Sequence, residues 1–128
     1  MTPLIILLIC CQLIIGIMKA IADITEHRDN WRVSVFSRYD IQSFFGAKDH
    51  TWTRKYSIPK PFRNILVGTS DIWHLSNTMR TLFWSLYAML SYLLGTITLS
   101  YPLVILILLG GFLNRPFFSV FYLKILRL

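Results

Sequence analysis

The sequence predicts an all-α integral membrane protein: about three transmembrane helices, an amphipathic cytoplasmic loop and a C-terminal interfacial helix. Hydrophobic residues make up 55% and aromatics 15% of the 128 positions, and mean hydropathy is +0.55, too apolar for a small soluble domain whose surface must be largely polar. The apolar residues also fall in blocks rather than at amphipathic spacing. Pro3 to Met18 is interrupted only by Gln12, and neither Thr81 to Leu99 nor Tyr101 to Leu113 carries a charge. Most of the charge lies between Asp23 and Arg63. With no internal repeats or low-complexity tracts, residues 1–128 read as a single membrane domain.

A bilayer core of about 30 Å needs about 20 helical residues, which places the first span at about residues 3–22. Ala20-Ile21-Ala22 has the small-x-small form of a signal-peptide cleavage site. Met1-Thr2-Pro3 offers no positive n-region, however, and Lys19 intrudes before the site, so an uncleaved helix is expected. Nothing in "ADITEHRDNW" breaks a helix, and the first helix is expected to run on through it.

The loop covers about residues 28–70. "WRVSVFSRYDIQSFFG" reads either as a short strand over Trp31 to Phe36, by alternation, or as an amphipathic helix to Phe45 stopped by Gly46. Its aromatics suit a surface resting on headgroups. "DHTWTRKYSIPKPF" holds two prolines and is expected to be extended, with Trp52, Tyr56 and Phe62 as interfacial anchors. Asp49-His50 reads as solvated loop.

The second span is expected over about residues 73–99, with Ser70 as N-cap and Asp71 as a first-turn acid favoured by the helix dipole. It pairs with the third through an outer turn at Ser100-Tyr101-Pro102. The third apolar block is short, about 13 residues or roughly 20 Å. It either ends near residue 114 or continues past Asn114-Arg115-Pro116 to about 123. The expectation is that it stops and that Pro116 opens a separate helix, Phe117 to Leu128, in the interface with Lys124 and Arg127 facing water.

Orientation follows from the basic residues. Arg28, Arg32, Arg38, Lys48, Arg54, Lys55, Lys60 and Arg63 all lie between the first and second spans, while Thr96 to Pro102 has no charge. The loop is therefore expected in the cytoplasm, with Arg80, Arg115, Lys124 and Arg127 gathered at the inner boundary. The net charge of +7 comes without a dense basic run interleaved with aromatics, which points to anionic lipid headgroups as partner and away from nucleic acid. Cys10 and Cys11 are adjacent and cannot form an ordinary disulfide, so they read as small apolar packing residues.

Candidate chemistry sits on two polar stripes. Asp71, His74, Thr78, Thr81 and Ser85 recur at three- and four-residue steps, as do Gln12, Lys19, Asp23 and His27, with Glu26 alongside. Ionisable groups near a bilayer normally face one another or a cavity, so the two stripes are expected to meet, bringing Asp23, His27, Asp71 and His74 together. Such an oxygen and nitrogen set suits Zn, Fe or Mn, a divalent cofactor that could activate water. Two metal-free readings stand beside it. In one, His acts as general base oriented by Asp, on a headgroup held by Lys55 and Arg80 with Trp52 and Tyr56 at the interface. In the other, the same residues form a structural network of salt bridges and hydrogen bonds.

The order A-I-x-D, His27, "SVF", "WTRKY" and "SDIWHL" ahead of an apolar helix resembles a group of small uncharacterised membrane proteins of Bacteroidetes, with a pattern close to S-W-x-N-K-Y followed by T-D-x-W-H. The resemblance covers about residues 19–76. Arg54 stands where asparagine is usual, and "SIPKPF" replaces a stretch containing glycine and aspartate. It implies that Asp23, His27, Trp52, Lys55, Tyr56, Asp71 and His74 form one constellation, in a bacterial inner membrane, and implies no particular reaction.

Two functions follow. One is a polar site at the cytoplasmic boundary, metal-dependent or not, acting on a lipid or other amphiphile. The alternative is a non-catalytic subunit or assembly factor that docks on a protein partner or on itself, using the close approach allowed by Gly110-Gly111. A channel or transporter fits least, since three short helices with an apolar outer half enclose no path.

Overall fold

Helix α1, Thr2–Glu26, is the axis on which the two other long helices pack. Pro3 falls in its first turn, where a missing N–H costs nothing, and no further proline interrupts it. In this computed structural model the described backbone comprises residues 2–98 and 103–127, with side chains described except at positions 52, 64–65, 97–98 and 103–109. Around α1 stand α2 (Arg28–Arg32), α3 (Lys48–Thr51), α4 (Lys60–Leu66), α5 (Ile72–Thr98) and α6 (Leu103–Val120), which passes into a π-helical turn, Phe121–Leu126. Short 3₁₀ turns fill Val35–Arg38, Trp52–Ser57 and Val67–Thr69. The fold is all-α: among the described residues the sole β-type pairing is an isolated bridge between Ser34 and Arg127.

Helix α5 runs antiparallel to α1. At one end Lys48 reaches Glu26 at 3.6 Å and lies 4.0 Å above the Trp73 ring, tying the end of α1 to the start of α5. At the other end Leu8 and Cys11 of α1 are buried with Tyr87, Leu90 and Leu94. Helix α6 runs parallel to α1. Gly110 lies against Gln12, Phe117 and Phe118 lie against Gly16, and Leu126 joins Ala20, Ile24 and Trp31 in the second apolar cluster. A Cβ on Gly16 would fall 2.8 Å from the Phe117 Cβ and 2.9 Å from the Asn114 carbonyl oxygen, so the two backbones touch there. By length and apolar content α1 is able to cross a membrane, alone in this among the described residues.

Four elements differ from expectation. Helix α1 passes Ala22 but ends at Glu26, because His27 turns extended (φ −121°, ψ 141°). A straight helix would carry Trp31 away from the bundle. The bend instead buries its ring with Ala20, Ile24, Phe36 and Ala47 and lets Nε1 donate to the Phe45 carbonyl at 2.7 Å.

The stretch after Trp31 forms neither a strand nor one amphipathic helix. Ser34 caps the turn Val35–Arg38 by accepting from the Phe36 amide, and Phe36, Tyr39, Phe44 and Phe45 cluster on one another. Gly46 closes a tight turn with Ser43 and leaves no room for a side chain beside the Ile41 carbonyl.

The segment expected to be extended is helical on both sides of Ile58-Pro59. Proline limits the residue before it but is accepted in the first turn of α4. Asp49 and His50 are exposed, in α3; Tyr56 and Phe62 are exposed, and the Trp52 side chain lies outside the described residues.

Finally, no separate helix opens at Pro116, which sits inside α6. Lys19 lies 4.2 Å above the Phe118 ring, Phe118 stacks on Tyr122 at 5.3 Å, and Phe121 and Tyr122 cover the Trp31 cluster. Those contacts hold the chain on the bundle and outweigh the one backbone hydrogen bond that proline removes. Lys124 and Arg127 are exposed as expected. The outer turn expected at Ser100-Tyr101-Pro102 lies outside the described residues.

Candidate functional site

The site grows from the start of α5. The Ile72 amide donates to the Phe44 carbonyl at 2.9 Å, fixing where the helix begins. Asp71, one residue earlier, is the N-cap in place of Ser70: its Oδ1 accepts the His74 amide at 2.9 Å, satisfying one of the orphan donors of the first turn. Its Oδ2 accepts the Ser70 hydroxyl at 3.2 Å and lies 2.6 Å from Nδ1 of His74. With a carboxylate as acceptor this contact has Nδ1–H as its donor, and Nε2 is then the ring nitrogen outside the dyad.

Asp71 is fully buried, and the His74 side chain is 15% exposed. A buried carboxylate is tolerated only when paired and hydrogen-bonded, and Ser70 and His74 supply that. The Trp73 ring meets the His74 ring edge-on at 4.9 Å. Below the dyad, His74, Asn77, Thr78, Thr81 and Leu82 line a groove of about 330 Å³. Helical spacing puts this groove on the face of α5 opposite Tyr87, Leu90 and Leu94, which pack on α1.

The polar residues of α5 therefore do share a face, but Asp23 and His27 do not join Asp71 and His74; the stripes approach each other at Lys19 and Thr81, which line one crevice. The apolar part of the α1–α5 contact is Tyr87, Leu90 and Leu94 against Leu8 and Cys11, whose burial removes apolar surface from water. Asp23 instead pairs within its own helix, accepting from Lys19 at 2.9 Å. His27 is exposed at the bend, and Asp71 pairs with His74. Among the described residues no three His, Cys, Asp or Glu side chains form a group able to hold a metal ion. The expected Asp23, His27, Asp71, His74 metal centre is corrected to an ion pair, a free-standing histidine and one Asp–His dyad.

The headgroup set also divides. Tyr56 neighbours Lys55 and Arg63, whose charges lie 5.3 and 5.0 Å from its ring centre. Arg80 lines a different place, a crevice of about 350 Å³ with Ile15, Lys19, Thr81, Trp84 and Asn114. Asn114 and Trp84 escaped the sequence reading. The signal that points to them is the height at which each long helix first meets a charge: Lys19 on α1, Arg80 on α5, and Arg115 next to Asn114 on α6.

No family model, curated protein or solved structure matches the chain. Its function is therefore read from its own geometry.

Replacing Asp71 separates its two roles. Asp71→Asn keeps an N-cap acceptor and is expected to change stability by less than about 1 kcal/mol, whereas Asp71→Ala removes cap and dyad together and costs about 2 kcal/mol. Thermal unfolding of the three proteins in one detergent checks the order, and equal losses would mean that the cap does not hold α5 in place.

Proposed function

We propose that the chain is a three-span membrane protein whose Asp71–His74 dyad serves, without a metal, as an acid–base group at the loop-side membrane boundary, acting on a lipid or other amphiphile. The single observation that carries this reading is the His74 ring held at 2.6 Å by a fully buried carboxylate and lining a groove that ends on Leu82. A headgroup at His74 would leave its tail beside Leu82, Leu86, Met89 and Leu93, all exposed on α5 at steps of three and four residues.

Membrane insertion is supported by where apolar side chains are exposed: Ile5, Ile6, Leu7 and Ile9 on α1, the four just named on α5, and Phe112 and Leu113 on α6. These stretches lie on the uncharged side of the level marked by Lys19, Arg80 and Arg115. Residues 81–98 supply roughly 27 Å of helix, close to a bilayer core. The basic loop belongs in the cytoplasm by the positive-inside rule, of a bacterial inner membrane on the resemblance above.

A second reading is favoured by the same α5 stripe, whose four-three-four spacing suits a seam against another helix of a protein partner or second copy. Gly110 is not available for such docking, being covered by Gln12 and Tyr87, while Gly111 is open.

The test is reconstitution in vesicles of a bacterial polar lipid extract, with lipids and products followed by mass spectrometry. The expected result is turnover by the wild type, lost in His74→Gln and strongly reduced in Asp71→Asn. No turnover by a folded, inserted wild type would sink the catalytic reading. Insertion is read separately. Cys10 is exposed on α1, yet a charged maleimide should leave it unlabelled in permeabilised vesicles and modify it after denaturation.

A further inference from the structure

We infer that the crevice where α1, α5 and α6 meet, with Arg80 as its principal anchor, binds the phosphate of an anionic lipid headgroup. The inference rests on the membrane placement proposed above and gives the amphiphile a second, separate holding point. Arg80 is half-buried, and among the described residues no acid pairs with it. Lys19, on the floor of the crevice, already donates to Asp23 but has further N–H groups to offer. Local charge in the crevice is therefore Arg80 plus a partly compensated lysine, which calls for an anion of low charge. Asn114 and Thr81 add polar groups, and Trp84 and Ile15 give apolar walls. A planar guanidinium beside an amide matches a phosphate better than a lone ammonium does.

Two further features place an amphiphile rather than a water-soluble anion here. The crevice lies at the height where all three long helices pass from charged to uncharged sequence, which is where lipid phosphates sit in a bilayer. One helical turn deeper, between Tyr87 and Gly110, the Gln12 side chain is fully buried, and neither its nitrogen nor its oxygen has a hydrogen-bond partner. A buried amide without partners is costly. Beneath the phosphate of a diacyl lipid lie its ester carbonyls, which accept hydrogen bonds of the kind the Gln12 amide nitrogen can donate. Thr81 lines both this crevice and the groove below His74, so a lipid seated at Arg80 borders that groove.

The test uses the full chain reconstituted in phosphatidylcholine vesicles containing 10% phosphatidylglycerol, with bromine on the tails of either lipid. Quenching of tryptophan fluorescence gives relative affinity, and Trp84→Phe isolates the local signal. Expected is a preference for brominated phosphatidylglycerol, lowered about tenfold in Arg80→Gln and lowered less in Arg80→Lys, which keeps the charge but not the planar fork. Arg115→Gln should leave it intact, since Arg115 is exposed and sits against Phe112 rather than in the crevice. An inserted protein that shows no preference, or loses it equally in Arg115→Gln, overturns the site while leaving the membrane reading standing. Displacement of the lipid by millimolar inorganic phosphate overturns the assignment to a lipid. Release of the protein from the vesicles by alkaline carbonate overturns both readings.

Discussion

Gly16→Leu is expected to unseat α6 from α1 and to cost about 3 kcal/mol or more, since overpacking against a backbone that cannot yield lies at the upper end of such effects. The clash is with main chain as well as side chain. A Cβ at position 16 already meets the Asn114 oxygen at 2.9 Å and the Phe118 nitrogen at 3.0 Å, and neither atom can rotate away. Separation would also pull Phe118 from beneath Lys19 and expose the Trp31 cluster that Phe121, Tyr122 and Leu126 cover. Thermal unfolding in detergent should show a drop of roughly 10–20 °C for a chain of this size. Gly111→Leu is the matched control: nothing lies within 4 Å of a Cβ there, and the midpoint should not fall. Equal losses at the two positions would mean that α6 is not seated on α1 at Gly16.

The sequence made the helical class legible because blocks of apolar residues without charge can be satisfied in few other ways, and α1 and α5 begin and end close to where hydropathy changes. Boundaries were less legible where a tertiary contact decides them. Nothing local in "ADITEHRDNW" predicts the bend at His27; it exists because Trp31 finds the Phe45 carbonyl fourteen residues on. Likewise Pro116 reads as a terminator until Gly16 on another helix gives Phe117 and Phe118 somewhere to pack.

For the site, spacing revealed that Asp71 and His74 share a face, and the dyad follows from it. Spacing within a helix says nothing of how that helix is rotated against its neighbour. The expected four-residue cluster assumed that the charged ends of the two stripes would seek each other, whereas Asp23 is satisfied by Lys19 one turn away and Asp71 by His74 on its own helix. Arg80 was recognisable as a boundary charge from its position at the edge of an uncharged stretch. Its crevice neighbour Asn114 comes from a helix whose continuation past residue 113 the sequence left open.

Trp31→Ala should open the loop-side cap while leaving the three-helix contact near Tyr87 in place. The side chain is 6% exposed and shares a cluster with Ala20, Ile24, Phe36, Ala47 and Leu126, so truncation forfeits apolar burial and leaves a cavity, about 3–5 kcal/mol in all. It also removes the donor to the Phe45 carbonyl, and the neighbouring Phe44 carbonyl is what the Ile72 amide uses to set the start of α5. Loosening Phe44-Phe45 thus reaches the Asp71–His74 dyad through the backbone. Trp31→Phe keeps most of the buried area and loses one hydrogen bond, about 1 kcal/mol. Trypsin is a direct probe, since Arg32, Arg38 and Arg54 are exposed in the cap. If cleavage follows local opening, its rate there should rise by about two to three orders of magnitude in Trp31→Ala and severalfold in Trp31→Phe, with the site at Arg80 unchanged. A uniform rise at every arginine would instead mean that cap and bundle unfold as one unit, and that the dyad owes its position to the helices alone.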